Sequence, residues 1–178
     1  LNIRLFPDQL AYIVNHADDE MVLFDTSFAP LVNAIAPHCP KVQHWVAMCD
    51  AAALPAIAAV GSVLDYETLI AAHGTRFDWP ELDEKSGAAL CYTSGTTGNP
   101  KGVLYSQRAL VLSAMSACMP NLLDLSAQEA VLPVVPMFHI NAWCLPYAAL
   151  IAGAKLVLPG PKLDAASLNE LMETEQVT

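Results

Sequence analysis

The chain has 178 residues, 54% of them hydrophobic and 15% charged, with a formal net charge of −10. That length suits one ordinary domain with a sizeable core, and the apolar excess fits elements covered on both faces, as in α/β proteins. A nucleic-acid binder is excluded for want of clustered bases, and a membrane span because the longest low-charge runs (51–64 and 140–154) are broken by proline and fall short of roughly 20 apolar residues.

In chain order, "MVLFD" (21–25) is predicted as a strand, and "SFAPLVNAIAP" as a helix after the cap-like Ser27. "VQHWVAM" (42–48) reads as a second strand. The Ala-rich stretch that follows is broken by Pro55, so a loop or weak helix is expected there. "DYETLIAAHG" (65–74) predicts a helix closed by Gly74. A polar, turn-rich connection leads to the strand "AALCYT" (88–93), a loop, and the extended "GVLYS". "QRALVLSAMSACM" predicts a helix stopped by Pro120, and "EAVLPVVP" (129–136) a strand. "HINAWCLPYAALIAG" reads as mostly helix with a kink at Pro146. "AKLVLPG" reads as a strand, and a last helix begins at Asp164, a good N-cap. Strands alternating with helices predict a layered α/β fold, a largely parallel sheet covered by helices, with no linker dividing the chain.

Charge is segregated. Residues 1–84 carry twelve acids and three bases, residues 85–163 two acids and five bases, and the last fifteen four acids and no base. One locally positive stretch in an acidic chain fits a small anion handled at one place. The five cysteines show no C-x-x-C spacing, which points to free thiols in a reducing compartment; the chain is read as cytoplasmic. His16, His38, His44 and His73 are scattered singly and form no metal-ligand pattern. The opening "LNIRLFPD" has no Met and no signal-peptide pattern, and both ends read as cut, so a piece of a longer protein is expected.

The chemistry concentrates in "CYTSGTTGNPKG" (91–102), with four Thr/Ser hydroxyls, three glycines, one lysine and no acid. Glycines let backbone N–H groups approach an anion. Thr93, Ser94, Thr96 and Thr97 add uncharged donors, and Lys101 adds a compact positive charge suited to a phosphate chain. A Walker A loop is excluded, because Pro100 precedes Lys101 and Gly102 follows it; no G-x-G-x-x-G occurs either. On residues alone the stretch is either an anion site or a glycine-rich turn between strands.

"YTSGTTGNPKGV" resembles the phosphate-binding signature of the adenylate-forming enzymes, the AMP-binding acyl-CoA synthetases and their relatives; no position from Leu90 to Lys101 departs from it. "PMFHINAWCLPYAALIAGAKLVLPGP" (136–161) is similar to the family's next motif, and the opening stretch is also in its style. The likeness covers nearly the whole chain and is strongest to the medium- and long-chain fatty acyl-CoA synthetases. It implies part of a large N-terminal domain, in a protein that joins a fatty acid carboxylate to the α-phosphate of ATP and passes the acyl group to CoA. ATP, Mg²⁺ and CoA are the implied cofactors and co-substrates, and a homo-oligomer is open.

By the same resemblance, Thr93, Ser94, Gly95, Thr96, Thr97, Gly98 and Lys101 hold the β- and γ-phosphates, Lys101 stabilises the leaving pyrophosphate, and Thr93 approaches Mg²⁺. His139, otherwise an ordinary core histidine, is assigned to orienting the acyl-adenylate. Trp143, four residues on, is either core or the wall of an acyl tunnel on the same helical face. Arg108 is read as a solvated helix charge or a phosphate ligand. The family's adenine-contacting, ribose-binding, hinge and C-terminal lysine motifs do not occur in these residues, so alone they are expected to bind phosphate weakly and catalyse little. A ligase for another carboxylate, a fatty acyl-AMP ligase serving a carrier protein, and a non-catalytic nucleotide-binding relative stay open.

Overall fold

The computed structural model describes residues 1–93 and 98–178. It falls into two compact units. The first comprises Leu1–Glu81 with the loop up to Lys101, and the second Leu82–Thr93 with Gly102–Thr178.

In the first unit, α1 (Pro7–His16) starts on a proline, where the missing N–H costs nothing. Gln9 Oε1 accepts from the Phe6 N–H at 3.2 Å. Leu10, Ala11, Ile13 and Val14 form its buried stripe; no element is predicted here above, although that spacing was the available signal. Strands β1 (Met21–Phe24), β2 (His44–Ala47) and β3 (Val63–Asp65) make a parallel sheet in the order β1-β2-β3, with Val22 opposite Trp45 and Val46 opposite Leu64. β1 alternates, burying Val22 and Phe24 and exposing Met21 and Leu23. β2, in the centre, buries Trp45, Val46 and Ala47 in succession, as a strand covered on both faces must. The core packs Leu10 and Val14 of α1 and Val32 and Ile35 of α2 (Ala29–Ile35) with Val22, Phe24, Trp45 and Ala47 of the strands.

Two predicted boundaries are corrected here. The cap before α2 is Asp25, whose side chain accepts from Ser27 N at 2.9 Å and opens a 3₁₀ turn at Thr26–Phe28. Ser27 is inside that turn. The helix predicted over 65–74 is α3 (Tyr66–Ala71), capped by Asp65 accepting from Thr68 N at 2.8 Å. It begins after Asp65, which belongs to β3, and ends before Gly74 on a right-handed end residue, Ala72.

In the second unit, β4 (Gly87–Thr93) and β5 (Lys101–Ser106, in this unit from Gly102 onward) form a two-stranded sheet. Helix α4 (Gln107–Ala117) follows, capped by Ser106 Oγ accepting from Ala109 N at 3.1 Å. Of the strand predicted over 129–136, only β6 (Ala130–Val131) forms, paired in parallel with β7 (Lys155–Leu156). Pro133 and Pro136 lack the N–H a longer ladder needs. The predicted helix from His139 is also corrected. Its first part, α5 (Ile140–Trp143), is one left-handed turn, and the right-handed helix is α6 (Leu145–Ala152). Pro146 lies in the first turn of α6, where it starts the helix and makes no kink. Gly153 ends it in the left-handed conformation (φ 73°). α4 packs on α6 through Ala114, Ala117 and Ala148, side chains small enough for close backbone approach. α7 (Ala165–Glu175) begins at Asp164, which accepts from Ser167 N at 3.0 Å, as predicted.

Two substitutions test these cores by urea unfolding of the full-length protein. Leu10→Ala, at a site 1% exposed, should cost about 2–5 kcal/mol. Ala148→Leu, at a site with no exposed surface, should cost about 1–3 kcal/mol by overpacking the α4–α6 contact. Wild-type stability in either variant would contradict the packing described.

Candidate functional site

β4 delivers Thr93, exposed, to the mouth of the hydroxyl-rich loop. Ser94, Gly95, Thr96 and Thr97 lie outside the described residues. Where description resumes, Gly98 has φ +128°, a conformation that side chains rarely adopt. Pro100 is buried and Lys101, exposed, opens β5. Gly102 is close-packed: a Cβ there would stand 3.1 Å from both Leu90 Cδ1 and Tyr92 Cζ, so those side chains would have to give way by a few tenths of an ångström. The motif's outer glycines thus answer to backbone conformation and to close approach between β4 and β5. The loop's ends are strands, so the exposed Thr93 and Lys101 rest on regular backbone. Lys101 counts with the first unit, and Thr93, His139 and Trp143 with the second.

His139 is exposed and extended (φ −107°, ψ 101°) at the entry to α5. From Ile140 through Cys144, φ runs 48°, 50°, 53°, 56° and 59°. Left-handed helical backbone costs roughly 1–2 kcal/mol for each L-residue, and a β-branched residue such as Ile140 is a genuine outlier there. Partners offset part of that cost. Ala142 N donates to His139 O at 3.0 Å, and Cys144 N lies 3.1 Å from both Ile140 O and Asn141 O. Asn141, Ala142 and Cys144 are buried, whereas Trp143 remains 57% exposed. Trp143 and His139 therefore do not share a right-handed helical face, as predicted above; they flank a strained turn. Strain of this kind gathers at functional sites, where surrounding structure holds it in place.

The turn is tied to β4. Cys91 Sγ, two residues before Thr93, donates to Asn141 Oδ1 at 3.7 Å. Asn141 Nδ2 is buried and without a partner among the described residues. Neither residue was singled out from sequence; the available signal was one amide inside the apolar run "INAWCL". Burial, with Cys91 nearby, raises the Cys144 thiol above its ordinary value of 9.0. An apolar cavity of about 210 Å³ lies beside the turn, lined by Val134, Pro136, Met137, Ala142, Pro146 and Leu158 among others. That is below the roughly 300–1,000 Å³ of a complete ligand pocket, so it holds part of a ligand at most.

Arg108 is engaged elsewhere. Its Nε donates to Glu84 Oε2 at 2.8 Å, its Nη2 to Glu84 Oε1, and its backbone N–H to Glu84 O at 2.8 Å. The fork holds the Glu84 carboxyl below its ordinary range and fixes the chain entering β4 to the start of α4. Of its two readings, the helix charge is the one the structure shows. Among the described residues no group of three His, Cys, Asp or Glu could hold a metal ion.

The AMP-binding enzyme family matches residues 1–178. The chain is 50% identical, over its whole length, to the medium-chain-fatty-acid–CoA ligase of Ectopseudomonas oleovorans, covering 32% of that protein. It is 47% identical over 180 residues to a 3-methylmercaptopropionyl-CoA ligase of Ruegeria pomeroyi, covering 33% of it. To the long-chain-fatty-acid–CoA ligase of Thermus thermophilus it is 49% identical over 177 residues, which are 99% of this chain and 31% of that one. The chain thus spans about a third of these relatives' length. Among solved structures, the N-terminal domain of FACL13 from Mycobacterium tuberculosis aligns with TM-score 0.69 at 27% identity, over 99% of this chain and 41% of that one. An anthranilate CoA ligase, AuaEII, in complex with anthranoyl-AMP aligns with TM-score 0.81 at 21% identity, over 100% and 33%, and shows the common fold.

Two outcomes follow from the geometry. Gly98→Ala meets no neighbour within 4 Å, so its cost of about 1–3 kcal/mol is backbone strain, read as a lower melting temperature; an unchanged melting temperature would contradict the φ. A raised folded thiol value means that Cys144 stabilises fully below its ordinary 9.0 and loses that contribution as pH rises past it. Alkylation of Cys144 in the folded protein should accordingly have a midpoint above pH 9, against an ordinary midpoint after unfolding.

Proposed function

The chain belongs to the AMP-binding enzyme family, and from that premise we propose that the protein it is part of is an acid–thiol ligase for fatty carboxylates. The observation that carries this reading is identity of 47–50% to three acyl-CoA ligases across the whole chain, the hydroxyl-and-glycine loop included. The 178 residues are then one portion of the N-terminal domain.

In the first step a carboxylate oxygen attacks the α-phosphorus of ATP, the bond to the β-phosphate oxygen breaks, and pyrophosphate leaves with its electron pair. In the second, the CoA sulfur attacks the acyl carbonyl carbon, its proton passes to solvent, and AMP leaves. Displacement at phosphorus needs positioning and charge stabilisation more than covalent help. Lys101 and the loop hydroxyls from Thr93 to Thr97 supply donors and positive charge to the departing pyrophosphate. The exposed Thr93 hydroxyl is a single hard-oxygen donor with no carboxylate cluster beside it among the described residues. That fits Mg²⁺ arriving on the polyphosphate better than an all-protein cage, and the ion would neutralise phosphate charge there. His139 orients the carboxylate and its adenylate; the attacking carboxylate has no proton to lose, so no general base is required. Trp143 and the cavity lined by Met137 and Ala142 border the acyl chain, each buried CH₂ of which contributes about 0.8 kcal/mol.

All five cysteines are free, which fits the reducing cytoplasm, and no described helix is long and apolar enough to cross a membrane. The substrate series runs from acetate to palmitate and includes 3-methylthiopropionate.

The test is carboxylate-dependent ATP–pyrophosphate exchange by the full-length protein. Exchange with fatty acids is expected, and Lys101→Ala should lower it by about 10²–10³-fold. No exchange with any acid, in folded protein that binds ATP, would overturn the reading.

A further inference from the structure

The buried amide of Asn141 goes beyond the roles assigned so far. It is 7% exposed, with its Nδ2 unpartnered among the described residues, so a core of this kind would be more stable with an apolar side chain. An unsatisfied buried group that persists calls for an explanation. Asn offers two things that Leu or Met cannot. It tolerates left-handed backbone better than any other L-residue except its close kin, and its Oδ1 accepts from the Cys91 thiol at 3.7 Å. Both bear on the same segment. Asn141 sits at φ 50°, ψ 47°, second in a run of five left-handed residues whose other members are Ile140, Ala142, Trp143 and Cys144. None of those four is a residue type that favours this conformation. Cys91 is two residues upstream of Thr93 on β4, and Asn141 is two residues from both His139 and Trp143.

We propose that Asn141 is a positioning residue for carboxylate activation: through its left-handed backbone and its contact with Cys91, it holds the turn that presents His139 and Trp143 in fixed relation to β4. The inference rests on the ligase reading of the site. Asn141 touches no substrate in this account; it acts through His139 and Trp143. Loss of the amide lets the turn relax toward right-handed backbone, which moves those two side chains. The ATP-facing loop, carried by β4 and β5, is left in place.

The test uses the full-length protein labelled with 5-fluorotryptophan, in which the fluorine resonances of Trp45, Trp79 and Trp143 are identified by their loss in Trp45→Phe, Trp79→Phe and Trp143→Phe. In Asn141→Ala the Trp143 resonance should shift while those of Trp45 and Trp79 stay. The carboxylate KM in the exchange assay should rise about tenfold, with the KM for ATP within about twofold. Asn141→Gly, which readmits positive φ, should recover about a third of the lost carboxylate affinity or more. Should Asn141→Ala unfold, Cys91→Ala decides: it removes only the thiol, and should shift Trp143 and raise the carboxylate KM about two- to threefold. An unmoved Trp143 resonance, or equal rises in the KM for ATP and for carboxylate, overturns the proposal. A wild-type protein with no exchange would sink the ligase reading instead, and the fluorine spectra would still report on the turn.

Discussion

Left-handed backbone over five successive L-residues is the constraint on which the second unit's candidate site depends. At roughly 1–2 kcal/mol each, Ile140 to Cys144 would not hold this conformation in isolation. Three inward side chains, Asn141, Ala142 and Cys144, are anchored in the interior, and backbone hydrogen bonds close the turn on itself. What remains outside is His139 with Ile140 at the start and Trp143 near the end. The turn converts a sequence that would otherwise run on as one helix into a corner, with its two large polar or aromatic groups on the exposed side.

The surroundings explain how such a corner survives. α6 takes over immediately at Leu145 with Pro146 in its first turn, so the strained backbone passes into a helix start where proline is at home. α6 itself is fixed by alanine-to-alanine contact with α4, and α4 by the Arg108–Glu84 fork and the Ser106 cap. Those exposed ion-pair groups add little stability of their own; their effect is to set where β4 enters and α4 begins. From β4 the Cys91 thiol reaches the turn. Strand, helix pair and turn thus brace one another around the segment with the unfavourable backbone.

Much of this was legible in the residues. Strands at 21–25, 42–48 and 88–93 and the cap at Asp164 were marked by apolar runs and by a side chain suited to its place. The loop motif stood out because its glycines and hydroxyls are unusual in such an apolar chain, and its phosphate role belongs to the proposed function. The turn was not. "HINAWCLPYAALIAG" has helical composition, and nothing local in Ile, Ala or Trp announces positive φ; tertiary burial overrode propensity. Asn141 was hidden for the same reason, since an amide counts as a weak helix residue until its backbone is seen. β6 came out shorter than its apolar run because prolines withhold ladder donors, a rule that was available. Helix α1 was missed although Leu10, Ile13 and Val14 carry its period.

The central claim is that the loop between β4 and β5 holds the polyphosphate of ATP while the left-handed turn faces the carboxylate. A crystal structure of the full-length protein with ATP and a fatty acid bound tests it most directly. The account predicts phosphate oxygens within hydrogen-bond distance of Lys101 and the Thr93–Thr97 segment, and the carboxylate beside His139. Phosphates seated elsewhere, with Lys101 facing solvent and the 140–144 turn remote from the acid, would contradict it.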